Sequence, residues 1–276
     1  DSEVKDLDSL VDIMIAGEEE ERESAAFSIA EFVADSDDNQ ALVRDECPRI
    51  FDALAMVCAD GTDRAKQYAC LGIAMLCADE TNQSLLSSTE GLLESLVDLS
   101  LDESLSDSCR ANVAWAIGAL VNENPTMRKA FGDIVGSFAG LVMIACTLHD
   151  EARERAAFAI AESARDCLEN QLGFGQTDGA LESLVHLCAT GSESAKEQAA
   201  WALAMLVESC DDNASALVAT PFALESLVQI CEAGSETARA NAVFAIAELA
   251  RSGDAARLAI LETEGAVEAL QAVVEG

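Results

Sequence analysis

The groups in this chain that could do chemistry are its carboxylates, its thiols and two imidazoles. Its 276 residues hold 51 Asp and Glu against 16 Lys and Arg, a formal net charge of −35. Carboxylates at i and i+4 share a helix face, a spacing that acid–base work can use. At this acidity any helix yields such pairs, so the spacing carries no weight here. Ten cysteines invite a disulfide or zinc reading, yet no CxxC pair occurs and only His149 and His186 could complete a ligand set. The two histidines form no evident pair for a nucleophilic triad. No GxSxG, Walker, HExxH or GxGxxG context is present. The sequence therefore predicts no enzyme, no cofactor and no metal.

Charge narrows the partners. A phosphate backbone is bound by clustered Lys and Arg, so the acidic balance argues against nucleic acid. It also disfavours an anionic membrane surface. A basic protein partner is the consistent choice of sign, and a merely solubilising surface is the alternative. No run reaches ~18 consecutive apolar residues, the length needed to span a bilayer, and no stretch of the given sequence reads as a signal peptide. Thiols in this number predict an intracellular reducing compartment, the cytoplasm ahead of the nucleus or an organelle interior.

The elements that place these groups recur. The middle Leu of an LESLV-like run gives Leu10, Leu54, Leu96, Leu141, Leu184, Leu227 and Leu270, at spacings of 44, 42, 45, 43, 43 and 43. A large residue on a longer helix gives Phe27, Leu71, Trp115, Phe158, Trp201 and Phe244, spaced by 43 or 44. Two registers with one period predict a stacked helical solenoid. Ala200, Leu203, Ala204 and Val207 fall at i, i+3, i+4 and i+7, one apolar helix stripe. Gly17, Gly61, Gly191 and Gly234 follow the anchor Leu by seven residues, where a reversal with φ > 0 is expected. The units at 91–135 and 136–178 have Glu103 and Leu148 there, so different turns are expected. Gly91, Gly136, Gly179 and Gly265, with Pro48 and Pro221, punctuate the start of each second helix. Cys58, Cys188 and Cys231 share one position on that helix and should pack as small hydrophobes.

With short first helices NQALV and NQSLL, second helices GALESLV and GAVEALQ, and third helix AAWALAML, the whole chain resembles the armadillo-repeat family. The resemblance implies an all-α, right-handed α-solenoid of three-helix repeats, with the third helices lining a concave, peptide-binding face. The expected organisation is one solenoid over 1–276, about six repeats plus a partial seventh. Its units fall at roughly 1–46, 47–90, 91–135, 136–178, 179–220 and 221–264, with a partial 265–276. The chain opens inside a second helix at Leu7–Ile15 and stops inside another at Glu268–Val274, without a visible capping repeat and without an initiator Met. It thus reads as processed, trimmed or continued beyond these ends.

The repeat sorts the charges. Arg22, Lys66, Arg110, Arg153, Lys196 and Arg239 stand five residues before the large residue, which suggests a ladder to carbonyls or acids of the neighbouring unit. Asp8, Asp52, Glu94, Glu182, Glu225 and Glu268 stand in the first turn of the second helix, where the helix dipole favours them. On the third helices, positions −4, 0, +4 and +8 trace one stripe. The stripes read Glu23-Phe27-Glu31-Asp35, Gln67-Leu71-Met75-Asp79, Ala111-Trp115-Ala119-Glu123, Glu154-Phe158-Glu162-Asp166, Glu197-Trp201-Met205-Ser209 and Ala240-Phe244-Glu248-Ser252. Ten of the eighteen flanking positions are acidic and none is basic. Rings beside carboxylates suit Lys and Arg.

The expected function is a non-catalytic protein–protein interaction scaffold that holds a basic or extended segment in an acidic groove, with Trp115 and Trp201 as anchors. A structural subunit of a larger complex, held by convex or terminal surfaces, is the second reading. A nuclear-import-type adaptor is the third. Family members of that kind place Asn four residues after Trp, whereas Trp115 and Trp201 are followed by Ala119 and Met205.

Overall fold

The computed structural model describes residues 2–275. These form nineteen helices and, among the described residues, no strand. Contacts gather them into two compact units, one up to Met127 and one from Arg128.

The first unit comprises α1 (Ser2–Ala16), α2 (Glu19–Asp35), α3 (Asp37–Glu46), α4 (Arg49–Asp60), α5 (Asp63–Leu76), α6 (Glu80–Ser88), α7 (Leu92–Leu101) and α8 (Asp107–Val121). After α9 (Pro125–Asp133), the second unit continues with α10 (Ser137–Ala145), α11 (Asp150–Ala164), α12 (Leu168–Gly175), α13 (Ala180–Thr190) and α14 (Glu193–Val207). It ends with α15 (Asp211–Ala219), α16 (Ala223–Ala233), α17 (Glu236–Ser252), α18 (Asp254–Glu262) and α19 (Ala266–Glu275). In the first unit the third helices α2, α5 and α8 pack side by side, and α1, α4 and α7 form a second layer against them. In the second unit α11, α14 and α17 form one layer and α10, α13, α16 and α19 the other.

The apolar period explains the layering. Anchors Leu54, Leu96, Leu141, Leu184 and Leu227 are completely buried, each stabilising by about 1.5–3 kcal/mol relative to exposure. Third helices touch through small residues: Ala156, Ala157, Ala199 and Ala200 are all inaccessible, so the backbones approach closely. Cys58, Cys188 and Cys231 are buried as expected.

Helix starts follow the same period. Side chains of Thr62, Ser106, Ser192 and Ser235 accept the backbone N–H of Ala65, Cys109, Ala195 and Ala238 at 3.3, 3.3, 3.2 and 3.1 Å. His149 takes the equivalent place, its Nδ1 accepting from Ala152 N–H at 3.4 Å. That histidine is a helix cap.

Glycine has two separate uses. Gly91, Gly136, Gly179 and Gly265 have φ of 72°, 88°, 82° and 77°, the left-handed corner before α7, α10, α13 and α19. Phe222 adopts the same corner at φ 63° behind Pro221. The expectation of φ > 0 after the second helix is corrected, since Gly61, Gly191 and Gly234 have φ of −73°, −69° and −75°. Crowding requires glycine there: a Cβ at Gly61 would lie 2.6 Å from the Val57 carbonyl oxygen, and one at Gly191 2.7 Å from that of Leu187. The two turns without this glycine do differ, with Leu148 standing 96% exposed after α10. At the other, Asp102 accepts the Ser104 N–H and hydroxyl.

Candidate partner-binding surface

Third helices place their large residues at the surface. Phe27 and Phe244 are 40% and 36% exposed, while Leu71, Trp115, Phe158 and Trp201 are half-buried. Neighbouring rings meet edge-on or tilted: Phe27 lies 5.0 Å from Tyr68, and Phe158 lies 6.1 Å from Trp201. A surface hollow beside Phe27 is lined by Glu20, Glu23, Ser24, Ser28, Arg64 and Tyr68.

The acids around these rings fall into three groups. Those at −4 link successive repeats: Glu23 accepts the Thr62 hydroxyl at 2.6 Å, Glu154 that of Ser194 at 2.7 Å, and Glu197 that of Ser235 at 3.0 Å. Thr62 and Ser235 at the same time accept a backbone N–H as helix caps, so each hydroxyl bridges one repeat to the next.

At +4 the positions diverge. Glu31 is exposed. Glu162 and Glu248 are buried, at 2% and 6% exposure. Each accepts an arginine three residues on, Arg165 at 2.6 Å and Arg251 at 2.7 Å. Glu248 also faces the Ser209 N–H at 3.4 Å. Glu208 sits near Asp166 and Glu248, and burial, then those two charges, push its carboxyl above the ordinary range.

At +8 the residues turn the chain. Glu123, Asp166 and Ser209 have φ of 49°, 50° and 54°. Asp79 caps α6, accepting the Asn82 N–H at 2.9 Å, and pairs with Arg44 at 3.0 Å. The Asn82 bond, more than Arg44, holds its carboxyl below the ordinary range. Asp35 closes α2 and is exposed. The stripe therefore keeps Glu31, Asp35, Glu123 and Asp166 as solvent-facing carboxylates.

The basic ladder expected between repeats holds differently. Arg22 reaches the Met14 carbonyl at 2.9 Å and, in the next repeat, Asp60 at 2.6 Å. Arg110 donates to Asp102 O at 3.4 Å, Lys196 to Glu193 at 3.3 Å and Arg153 to Asp150, all within their own repeats. Arg22 thus ties its own turn to the next repeat, while Arg110, Lys196 and Arg153 hold their own turns. Amides of the short first helices also link the repeats. The Asn82 side chain donates to Gln40 O at 3.3 Å, Asn170 to Arg128 O at 2.8 Å and Asn213 to Gln171 O at 2.7 Å, each spanning 42 residues. The Asn of NQSLL was the signal for this.

No protein-family model and no curated protein sequence matches the chain. Solved structures do. An engineered protein superposes with a TM-score of 0.78 at 20% identity, over 90% of this chain and 98% of that one. A designed armadillo repeat protein gives 0.76 at 21%, over 88% and 99%. A designed armadillo repeat protein in complex with the peptide (KR)4 gives 0.70 at 21%, also over 88% and 99%. The fold is an armadillo-type α-solenoid.

Proposed function

We propose that the chain is a non-catalytic protein-binding scaffold whose third helices hold a basic, extended segment. The observation that carries this reading is the surface placement of Phe27 and Phe244 on helices whose flanking stripe contains no base. An Arg or Lys stem lies along such a ring while its head group meets Glu31 or Asp35. The similar fold that holds (KR)4 supports the choice of ligand. With their own arginines in place, Glu162 and Glu248 form the floor, because both are buried and paired within the chain. A reducing compartment, the cytoplasm first, suits ten thiols.

The test is fluorescence anisotropy with labelled (KR)4 against a neutral peptide of equal length. Saturable binding of the basic peptide alone, weakened as salt rises from about 0.1 M to about 1 M and the screening length falls from about 10 Å to about 3 Å, supports the reading. Equal binding of both peptides rejects it.

A second reading, a subunit of a larger complex, is favoured by exposed apolar side chains away from the stripe. Leu258 and Leu261 on α18 are 56% and 66% exposed. Concentration-dependent self-association or salt-resistant partner retention would favour it.

A further inference from the structure

Trp201 already carries a cation. The Arg165 guanidinium carbon lies 5.2 Å from the Trp201 ring centroid, and the same guanidinium pairs with Glu162 at 2.6 Å. Arg165 is the residue after α11, with φ −54° and ψ 124°, so its side chain leaves the helix and crosses to α14. Its main chain is pinned, since its N–H donates to Ala161 O at 3.0 Å and its carbonyl accepts from Arg128 at 3.3 Å. The side chain is thus the part of Arg165 that can leave without moving the turn.

The corresponding positions of the other repeats, seven after the large residue, are Ala34, Ala78, Asn122, Glu208 and Arg251. An arginine against the next repeat's tryptophan is a local choice of this sequence, and the period does not require it. What it builds is a planar ring face on one side and a buried carboxylate, 2% exposed, on the other. A guanidinium stacks and forks into such a site, whereas a compact ammonium does neither as well.

We infer that Trp201 and Glu162 form an arginine subsite that Arg165 fills from within the chain, so a partner's arginine docks there by displacing Arg165. This deepens the proposed function and rests on it for the identity of the partner. The site itself rests on the Arg165–Trp201–Glu162 geometry alone. At rest the Trp201 subsite is closed, and a basic segment is first read at open rings such as Phe27.

The test uses N-acetyl-arginine amide and N-acetyl-lysine amide as probes and the indole N–H signal of Trp201, assigned with Trp115→Phe. In Arg165→Ala the arginine probe should shift that signal saturably, at least roughly tenfold tighter than in wild type and tighter than the lysine probe. Arg165→Lys keeps a charge for Glu162 and should respond to an intermediate degree; it stands in if Arg165→Ala does not fold, as judged by thermal melting. An unchanged Trp201 signal in the folded variants, or equal responses in variant and wild type, overturns the subsite. Failure of wild type to bind (KR)4 while Arg165→Ala takes the arginine probe would reject the groove reading and uphold the subsite. The converse result would do the opposite.

Discussion

The Asn170 side chain occupies the space that a side chain at Gly132 would need: a Cβ there would lie 2.0 Å from Asn170 Oδ1. Asn170 meanwhile donates to Arg128 O and Ser163 O, both at 2.8 Å. One repeat later Asn213 stands over Gly175, where a Cβ would lie 1.8 Å from its Oδ1, and donates to Gln171 O and Leu206 O. A glycine and an asparagine, 38 residues apart in each case, thus form one joint between repeats. Gly132→Ala and Gly175→Ala should each cost about 1–3 kcal/mol through overpacking. Asn170→Ala should cost a similar amount, about 1–3 kcal/mol, because two buried carbonyls lose their donor. Urea unfolding of the three variants measures this; losses within error of zero would show that the joint relaxes freely.

The bridge from Glu197 to Ser235 makes a separate prediction. The Ser235 hydroxyl donates to Glu197 at 3.0 Å and accepts the Ala238 N–H at 3.1 Å. Ser235→Ala should cost about 1 kcal/mol for the lost cap, plus whatever the link to Glu197 contributes. A double-mutant cycle with Glu197→Gln isolates that link. A coupling of about 0.5 kcal/mol or more is expected for residues in direct contact, and additivity would show that the bridge has no energetic role.

Buried thiols should make stability fall at alkaline pH. Burial pushes Cys188 up to about 12 and Cys231 up to about 11. Cys47 also rises to about 11, with burial ahead of its contact with Asp8. An unfolded cysteine ionises near about 8.5, so the folded state binds these protons more tightly. Their stabilisation is complete below about 8.5 and is lost as pH rises through the folded values. Denaturant midpoints should therefore fall between about pH 8.5 and about pH 11, and Cys188→Ala should flatten the decline. A midpoint constant over that window would contradict the burial. At neutral pH a thiol reagent should modify exposed Cys146 and half-buried Cys167 first.

The architecture was legible because its signals are carried by residue size. The anchor Leu residues and left-handed Gly91, Gly136, Gly179 and Gly265 lie where their period puts them. Gly61, Gly191 and Gly234 are different, since a glycine required because a carbonyl leaves no room for a Cβ looks the same in sequence as one with positive φ. The acidic stripe was legible as a face, but its accessibility was not. Glu162 and Glu248 look like Glu31 on a helical wheel, and only Arg165 and Arg251 three residues later mark them as paired. Thr62, Ser106, Ser192 and Ser235 repeat with the same period as the large residues and could have been read as caps. Their bonds to Glu23 and Glu197 span 39 and 38 residues, and no local pattern announces them.

Binding on the open stripe should depend more on rings than on any one acid, because desolvated aromatics dominate most interfaces. Phe27→Ala should weaken (KR)4 binding more than Glu31→Gln or Asp35→Asn alone. With Arg165→Ala in place, Trp201→Ala should also cost more than any single Glu→Ala. Anisotropy titrations of these variants check the order, and equal small losses throughout would remove the rings from the surface.

The most direct test of the central claim is site-specific photocrosslinking to labelled (KR)4. The photoreactive residue p-benzoyl-phenylalanine would replace either Phe27, on the third-helix stripe, or Met56, equally exposed at 40% on the second helix α4. Crosslinking from position 27 that is competed by unlabelled peptide, with none from position 56, is the predicted result. Crosslinking from position 56 alone, or from both positions without competition, would contradict the account.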